Sequence, residues 1–231
     1  MLNEADEEWL RDHYPGLIRE GNTVIGSIEF RASYSHEQNC FRILGDASAP
    51  ETAVTLSGAF QIRIEERVDA STSQLPALHV LDIEHSPDRH FNRKDNSACL
   101  CSPLEERDFT EPTFQFQSFL ERLVVPFLYG QLYYSVEERW PWTEYAHGAT
   151  GILEAYSRIS DRELAAECLR QLVQDANWVK IRNALTQKPF VKGHTPCFCS
   201  RMDHIRRCHP RALTGALLLQ KDLKARGIRI P

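Results

Sequence analysis

The chain has 231 residues, 42% of them hydrophobic and 26% charged, which suits a soluble globular protein with one generous domain or one domain and a small appendage. A formal net charge of −5 argues against a general nucleic-acid binder. The longest apolar stretch, residues 123–134, is broken by Pro126, Gly130 and Gln131 and falls short of the roughly 20 residues a bilayer requires, so no membrane span is expected.

The first eight residues are acidic and resemble no secretory or organellar targeting peptide, so a cytoplasmic, reducing location is expected. Residues 4–14 predict a short amphipathic helix that shows Trp9, Leu10 and Tyr14 on one side and ends at Tyr14-Pro15-Gly16. Four strands follow. Residues 26–32 alternate apolar and polar side chains, residues 41–44 form a shorter run, residues 59–65 carry the clearest period of two, and residues 78–83 make the fourth. Their short spacing predicts an antiparallel meander. From residue 114 the apolar positions recur at helical spacing through Phe127, and residues 148–157, 161–180 and 211–225 also predict helices. Ser160 or Asp161 suits the N-cap of the second of these, while residues 186–196 predict a loop. A helix, then strands, then helices is the order of an α+β fold. The expected division is a first domain over residues 1–158 and a helical extension over residues 159–231.

The seven cysteines fall into groups: Cys99 and Cys101 form a close pair, Cys197, Cys199 and Cys208 stand together beside His209, and Cys40 and Cys168 are isolated. An odd count in a reducing compartment points to thiol chemistry and metal binding rather than to a disulfide framework. Residues 89–103 are polar and turn-rich and follow the fourth strand directly. A loop at the end of a sheet is a common seat for a catalytic group, and a reactive thiol needs exposure and a tuned pKa. The amide of Asn92 suits an oxyanion formed on an acyl group held by such a sulfur. Asp95-Asn96 predicts a turn. The bland alternative is a cysteine that packs as a small hydrophobe.

The pattern resembles the ubiquitin-conjugating enzymes. Gly58-Ala-Phe60-Gln-Ile62-Arg-Ile64 is similar to a strand of that family, and Pro76-Ala-Leu78-His-Val80 to the next. His90-Phe91-Asn92 stands where the family has His-Pro-Asn, and Asp95-Asn96-Ser-Ala-Cys99-Leu100 resembles the turn and Cys-Leu that follow. Phe91 replaces the proline, and residues 69–74 lack the prolines of the eukaryotic loop, which moves the resemblance towards bacterial relatives that act in anti-phage CBASS operons beside a cGAS-like nucleotidyltransferase. Residues 126–134 and 140–148 also look like that group. The resemblance covers roughly residues 5–135. It implies a ubiquitin-conjugating-like fold with an N-terminal helix, a four-stranded meander and C-terminal helices. It also implies a thioester carried on Cys99 or Cys101, with Asn92 at the oxyanion and His90 supporting the loop, and transfer of the acyl group to a lysine. The implied partner is a protein substrate, either the C-terminus of a cGAS-like nucleotidyltransferase or a ubiquitin-like protein. No nucleotide-binding glycine loop is present, so the resemblance implies either a separate activating enzyme or a stand-alone form. The Cys-Leu pair favours Cys99, and expected exposure next to Ser102-Pro103 favours Cys101. The rival readings are a non-catalytic adaptor of the same fold and, with little to orient its base, a cysteine hydrolase using His90.

Cys197-Phe-Cys199, eight further residues and Cys208-His209 supply three thiolates and an imidazole, a full tetrahedral set for structural zinc. The spacing resembles the SEC-C motif of bacterial proteins: Ser200 and Arg206-Arg207 fit it, while its glycines are missing. His204 is expected to stand outside the ligand set, the 105–108 charge run to be a solvated loop, and His147-Gly148 to serve a turn.

Overall fold

A computed structural model describes residues 2–45, 47–67, 75–159, 161–199, 201 and 203–231. Three sequence expectations, the loop over residues 69–74, the Ser160 cap and the role of Ser200, lie outside the described residues. The chain divides into two units, the first Met1–Cys101 with Glu106–Thr143, the second Ser102–Glu105 with Glu144–Pro231.

In the first unit, helix α1 (Glu4–His13) starts on a reciprocal cap. Asn3 accepts the Asp6 N–H through its side chain at 2.9 Å, and Asp6 accepts the Asn3 N–H at 3.0 Å, so two otherwise orphaned donors are satisfied. Strands β1 (Leu17–Glu20), β2 (Thr23–Ser35), β3 (Cys40–Ile43), β4 (Val54–Glu65) and β5 (Ala77–Val80) form one antiparallel sheet in the order β1-β2-β4-β5, with β3 also paired to β2. The meander is thus β1-β2-β4-β5, and the predicted strand at residues 41–44 is a hairpin return onto the far end of β2. Leu17–Glu20, too short and mixed to show a period, was not among the predicted strands. The fourth strand stops at Val80, where the Asp82 carboxylate takes the Gln61 N–H at 3.0 Å in place of a backbone partner.

Period-two alternation puts Val24, Ile28, Phe30 and Ala32 of β2 on one face with Phe60, Ile62 and Ile64 of β4, all buried. This face is covered by a long helical segment: α3 (Phe116–Phe119), a π-helical turn (Leu120–Val124) and α4 (Val125–Glu137). Pro126 lacks the N–H that an α-helix needs there, and the π turn lies immediately before it. Leu132 of α4 seats on Gly58 of β4: a Cβ at Gly58 would lie 2.5 Å from Leu132 Cδ1. The Tyr129 hydroxyl donates to the Val54 carbonyl at 2.7 Å. A short helix, α2 (Arg107–Thr110), precedes this segment.

The second unit is helical: α5 (Gly148–Arg158), α6 (Ala165–Val173), α7 (Trp178–Leu185), α8 (Ile205–Cys208) and α9 (Pro210–Ala225). The boundary therefore falls at residues 143–144 instead of 158–159. The reason is that α5 packs on α9 so closely that a Cβ at Gly215 would stand 1.8 Å from the Leu153 carbonyl oxygen, and Tyr156 donates to Asp222 at 2.8 Å. The single helix expected over residues 161–180 is broken. Its start is a 3-10 turn over Arg162–Leu164, where Asp161 accepts the Glu163 N–H. Asp175 ends α6 by accepting N–H groups from Asn177 at 2.7 Å and Ala149 at 2.7 Å. The 105–108 run is not a plain solvated loop either: Glu105 accepts the Tyr145 hydroxyl at 2.6 Å, and Arg107 pairs with Glu111. Gly148 has φ +64 and opens α5, the turn role expected of it. Among the described residues no helix is long and apolar enough to cross a membrane.

Candidate functional site

Beyond β5 a 3-10 turn, Pro87–Arg89, leads into a tight antiparallel loop. His90 adopts a left-handed conformation with φ 56 and so turns the chain back, and Phe91 bridges Ala98. The Cys99 N–H donates to the His90 carbonyl at 2.7 Å, the Asn92 N–H to the Ser97 carbonyl at 2.8 Å, and the Ala98 N–H to the Leu78 carbonyl of β5 at 2.8 Å. The returning arm is therefore hydrogen-bonded to the sheet, and Cys99 leaves it on a backbone already fixed on both sides. Asn96, also left-handed at φ 55, makes the turn that Asp95-Asn96 predicted.

Two polar clamps hold this loop. At its tip Ser97 is fully buried. Its hydroxyl donates to Asp95 at 2.8 Å and accepts from Asn92 Nδ2 at 3.0 Å and from Arg67 at 3.1 Å, and Arg67 also pairs with Asp95 at 3.3 Å. Partial burial works to raise the Asp95 pKa, but the Ser97 hydrogen bonds and the Arg67 charge outweigh it and hold the carboxyl below its ordinary value. At its base Arg89 reaches Gln131 at 3.3 Å and Ser135 at 3.2 Å and lies over the Tyr134 ring, while Gln131 returns a bond to the Arg89 carbonyl at 2.8 Å. Phe91 is buried between His85 and Phe127. The His90 ring stands edge-on to Trp140 at 4.6 Å, and the Trp140 indole donates to the Asp88 carbonyl at 3.3 Å.

The expected order of exposure is reversed. Cys99 is the exposed residue, whereas Cys101 is half-buried and packs against the first unit's core. The reason is local: Cys99 ends the hydrogen-bonded arm at the surface, and the chain then turns inwards. Exposed as the residue is, enough protein surrounds its sulfur that desolvation raises the thiol pKa, and the Glu106 carboxylate raises it further. Asn92 lies at the turn end of the loop with its amide on Ser97, and the His90 backbone lies beside Cys99. Arg67, Ser97, Arg89, Gln131 and Trp140 were not singled out from sequence. Only Arg89 and Ser97 fall inside the segment that drew attention, and nothing in their spacing announces their partners.

The second constellation is assembled within the second unit. Ligand atoms of Cys197, Cys199, Cys208 and His209 all lie within 4.8 Å of one another, so the four could hold a metal ion. Cys197 Sγ is 3.1 Å from His209 Nδ1 and Cys199 Sγ is 3.4 Å from Cys208 Sγ. The bridge between Pro196 and His204 and the Cys197 N–H on the Asp203 carbonyl fold the Cys-x-Cys turn, and α8 ends at Cys208 so that His209 faces the same point. His204 serves the bridge and is not in the cluster. Burial pushes the Cys197 thiol up to about 12. Three sulfurs this close cannot all ionise without a cation, whereas a cation that prefers sulfur and imidazole would convert them to ligands. Cys168 is fully buried in the second core, and there burial raises its pKa.

Comparison with protein-family models, with curated proteins and with solved structures gives no match.

Proposed function

We propose that the first unit is a ubiquitin-conjugating-type transferase with Cys99 as its nucleophile. The observation that carries this reading is a surface cysteine on a rigid arm. The arm is bonded to a sheet edge on one side and to the His90 backbone on the other, and it lies in a segment that resembles His-Pro-Asn through Cys-Leu. In this scheme the carboxyl terminus of a protein arrives already activated, the Cys99 thiolate displaces the activating group, and a thioester forms. A lysine amine then attacks the carbonyl carbon. The amine loses a proton, the C–S bond breaks, the thiolate leaves, and an isopeptide remains. A primary amide has two N–H donors, so Asn92 keeps one for the oxyanion while the other bonds Ser97. His90 supports the arm through its carbonyl. The proposed donor is the C-terminus of a cGAS-like nucleotidyltransferase or a ubiquitin-like protein, in anti-phage defence within the cytoplasm.

The ion proposed for Cys197, Cys199, Cys208 and His209 is zinc in a structural role, since four protein ligands leave no open position.

One observation favours a second reading. Burial and the Glu106 carboxylate both raise the Cys99 pKa, which disfavours the nucleophilic thiolate and suits a non-catalytic adaptor of the same fold. Non-reducing gels separate the two. Purified protein, its activating enzyme and the donor protein should give a thiol-sensitive adduct that is lost in Cys99→Ala and kept in Cys101→Ala. An adduct lost only in Cys101→Ala would move the nucleophile. No adduct with any donor, together with unchanged antiviral protection by Cys99→Ala, would leave the adaptor.

A further inference from the structure

The chain-wide charge of −5 conceals a division. Residues 178–231 hold 12 of the 27 lysines and arginines but only 2 of the 32 acidic residues, a net +10, so the remainder of the chain stands at −15. A segregation of this size marks a surface that meets a polyanion. All twelve basic residues are exposed, and among the described residues only Arg226 has a carboxylate partner, Glu163 at 2.7 Å. The two acidic residues are already engaged: Asp222 accepts the Tyr156 hydroxyl at 2.8 Å and Asp203 the His204 N–H at 2.6 Å. The fold gathers part of the positive charge at one place. The Arg206 N–H donates to the Gly193 carbonyl at 3.1 Å and the Ile205 N–H to the Thr195 carbonyl at 2.9 Å, so the arm that carries Lys192 runs beside the arm that carries Arg206. Arg206 packs across Gly193, where a Cβ would lie 3.3 Å from both Arg206 Cβ and Cδ. Arg207 follows on α8, and Arg211 lies in the first turn of α9.

Phe190 stands in the same stretch, between Lys188 and Lys192. It is 55% exposed, and among the described residues no other phenylalanine, tyrosine or tryptophan is exposed. Its loop is fixed to α9. The Val191 N–H donates to Gln220 Oε1 at 3.0 Å, and the Gln220 amide donates to the Leu185 and Gln187 carbonyls, each at 2.8 Å. An aromatic ring held out in water among unpaired arginines and lysines stacks bases while the cations track phosphates. Other polyanions fit less well. A membrane surface asks for an apolar helix face turned outwards, whereas α9 buries Ala212, Ala216, Leu219 and Leu223. An acidic protein would meet an apolar centre, and among the described residues Val179 and Phe190 are the only large exposed hydrophobics of the second unit. We propose that this surface binds single-stranded nucleic acid without sequence preference, with a base on Phe190 and phosphates on Lys192, Arg206, Arg207 and Arg211. The proposal goes beyond the transferase reading and does not depend on it.

The test is fluorescence anisotropy of labelled oligo(U) and oligo(dT), each of about 15 nucleotides, titrated with the full chain as purified. Both should bind saturably at about 50 mM salt, and log K should fall against log salt with a slope of about −3, the value for four or five phosphate contacts. A preference for one of the two names RNA or DNA as the ligand and supports the proposal either way. The triple variant Arg206→Gln, Arg207→Gln, Arg211→Gln should reduce the slope by about 2. Phe190→Ala should keep the slope and weaken both oligonucleotides about fivefold or more. Because Phe190 is exposed, this variant keeps the test valid where the triple variant loses its metal or melts early. No saturable binding of either oligonucleotide, or a Phe190→Ala chain that binds them like the parent, would overturn the proposal. So would displacement by polyglutamate as effective as by unlabelled oligo(U) at equal charge, or capture by phosphatidylglycerol vesicles of a chain that ignores both oligonucleotides.

Discussion

Replacing Gly130 with alanine tests whether the thiol loop is held from beneath by α4. A Cβ at Gly130 would sit 2.2 Å from Trp140 Cζ3 and 2.7 Å from Cε3. Carbon atoms rest at about 3.5–4.0 Å, so the indole must retreat by roughly 1.5 Å. The Trp140 bond to the Asp88 carbonyl is already 3.3 Å long, and that retreat breaks it and opens the His90–Trp140 edge contact. Overpacking costs about 1–3 kcal/mol and the lost hydrogen bond about 1 kcal/mol, while alanine returns about 1 kcal/mol of helix propensity. The net expectation is a destabilisation of about 1–3 kcal/mol, read as a lower denaturant midpoint at constant slope. It should come with faster exchange of the Cys99 amide, since its acceptor is the His90 carbonyl. Trp140→Phe removes the benzo ring and should recover part of the loss in the double variant. A Gly130→Ala protein as stable as the parent, with unchanged Cys99 exchange, would refute the packing argument.

Other consequences are open to measurement. Iodoacetamide should modify Cys99 before Cys101 in a mass-resolved time course, in line with their exposure; the reverse order would contradict it. Because burial and Glu106 raise the Cys99 pKa, its alkylation rate should keep climbing above the pH at which an ordinary cysteine has levelled off. Glu106→Gln removes the repelling charge, so it should lower that pKa and shift the profile to lower pH. Asp95 is held below its usual range, so its contribution to stability is present above the unfolded carboxyl pKa and is lost as pH falls through the folded value. Asp95→Asn should flatten that acid limb in pH-dependent melts and lower stability near neutrality. Elemental analysis should find about one metal ion per chain, and Cys208→Ala or a strong chelator should release it and lower the melting temperature of the second unit; a metal-free chain with the same melting temperature would count against the cluster as a ligand set.

Much of this protein follows from local patterns in its sequence. The even-numbered apolar residues of β2 and β4 choose one sheet face because strand geometry repeats every two residues. The Cys-x-Cys and Cys-His pairs place all four members of the cluster within thirteen residues, so their grouping is legible in the sequence alone. The segment from His90 to Cys101 was likewise marked by its own residues. Only the tertiary structure decided the rest. The break at Asp175 depends on an acceptor for Ala149, which is distant in sequence. The assignment of α5 to the second unit rests on the close approach of Gly215 to Leu153, a contact across 62 positions that neither helix's own periodicity encodes. The order of exposure of Cys99 and Cys101 is of the same kind. Two thiols separated by one residue share nearly the same local sequence, and what distinguishes them is where the arm leaves the sheet and which side of the chain the core lies on.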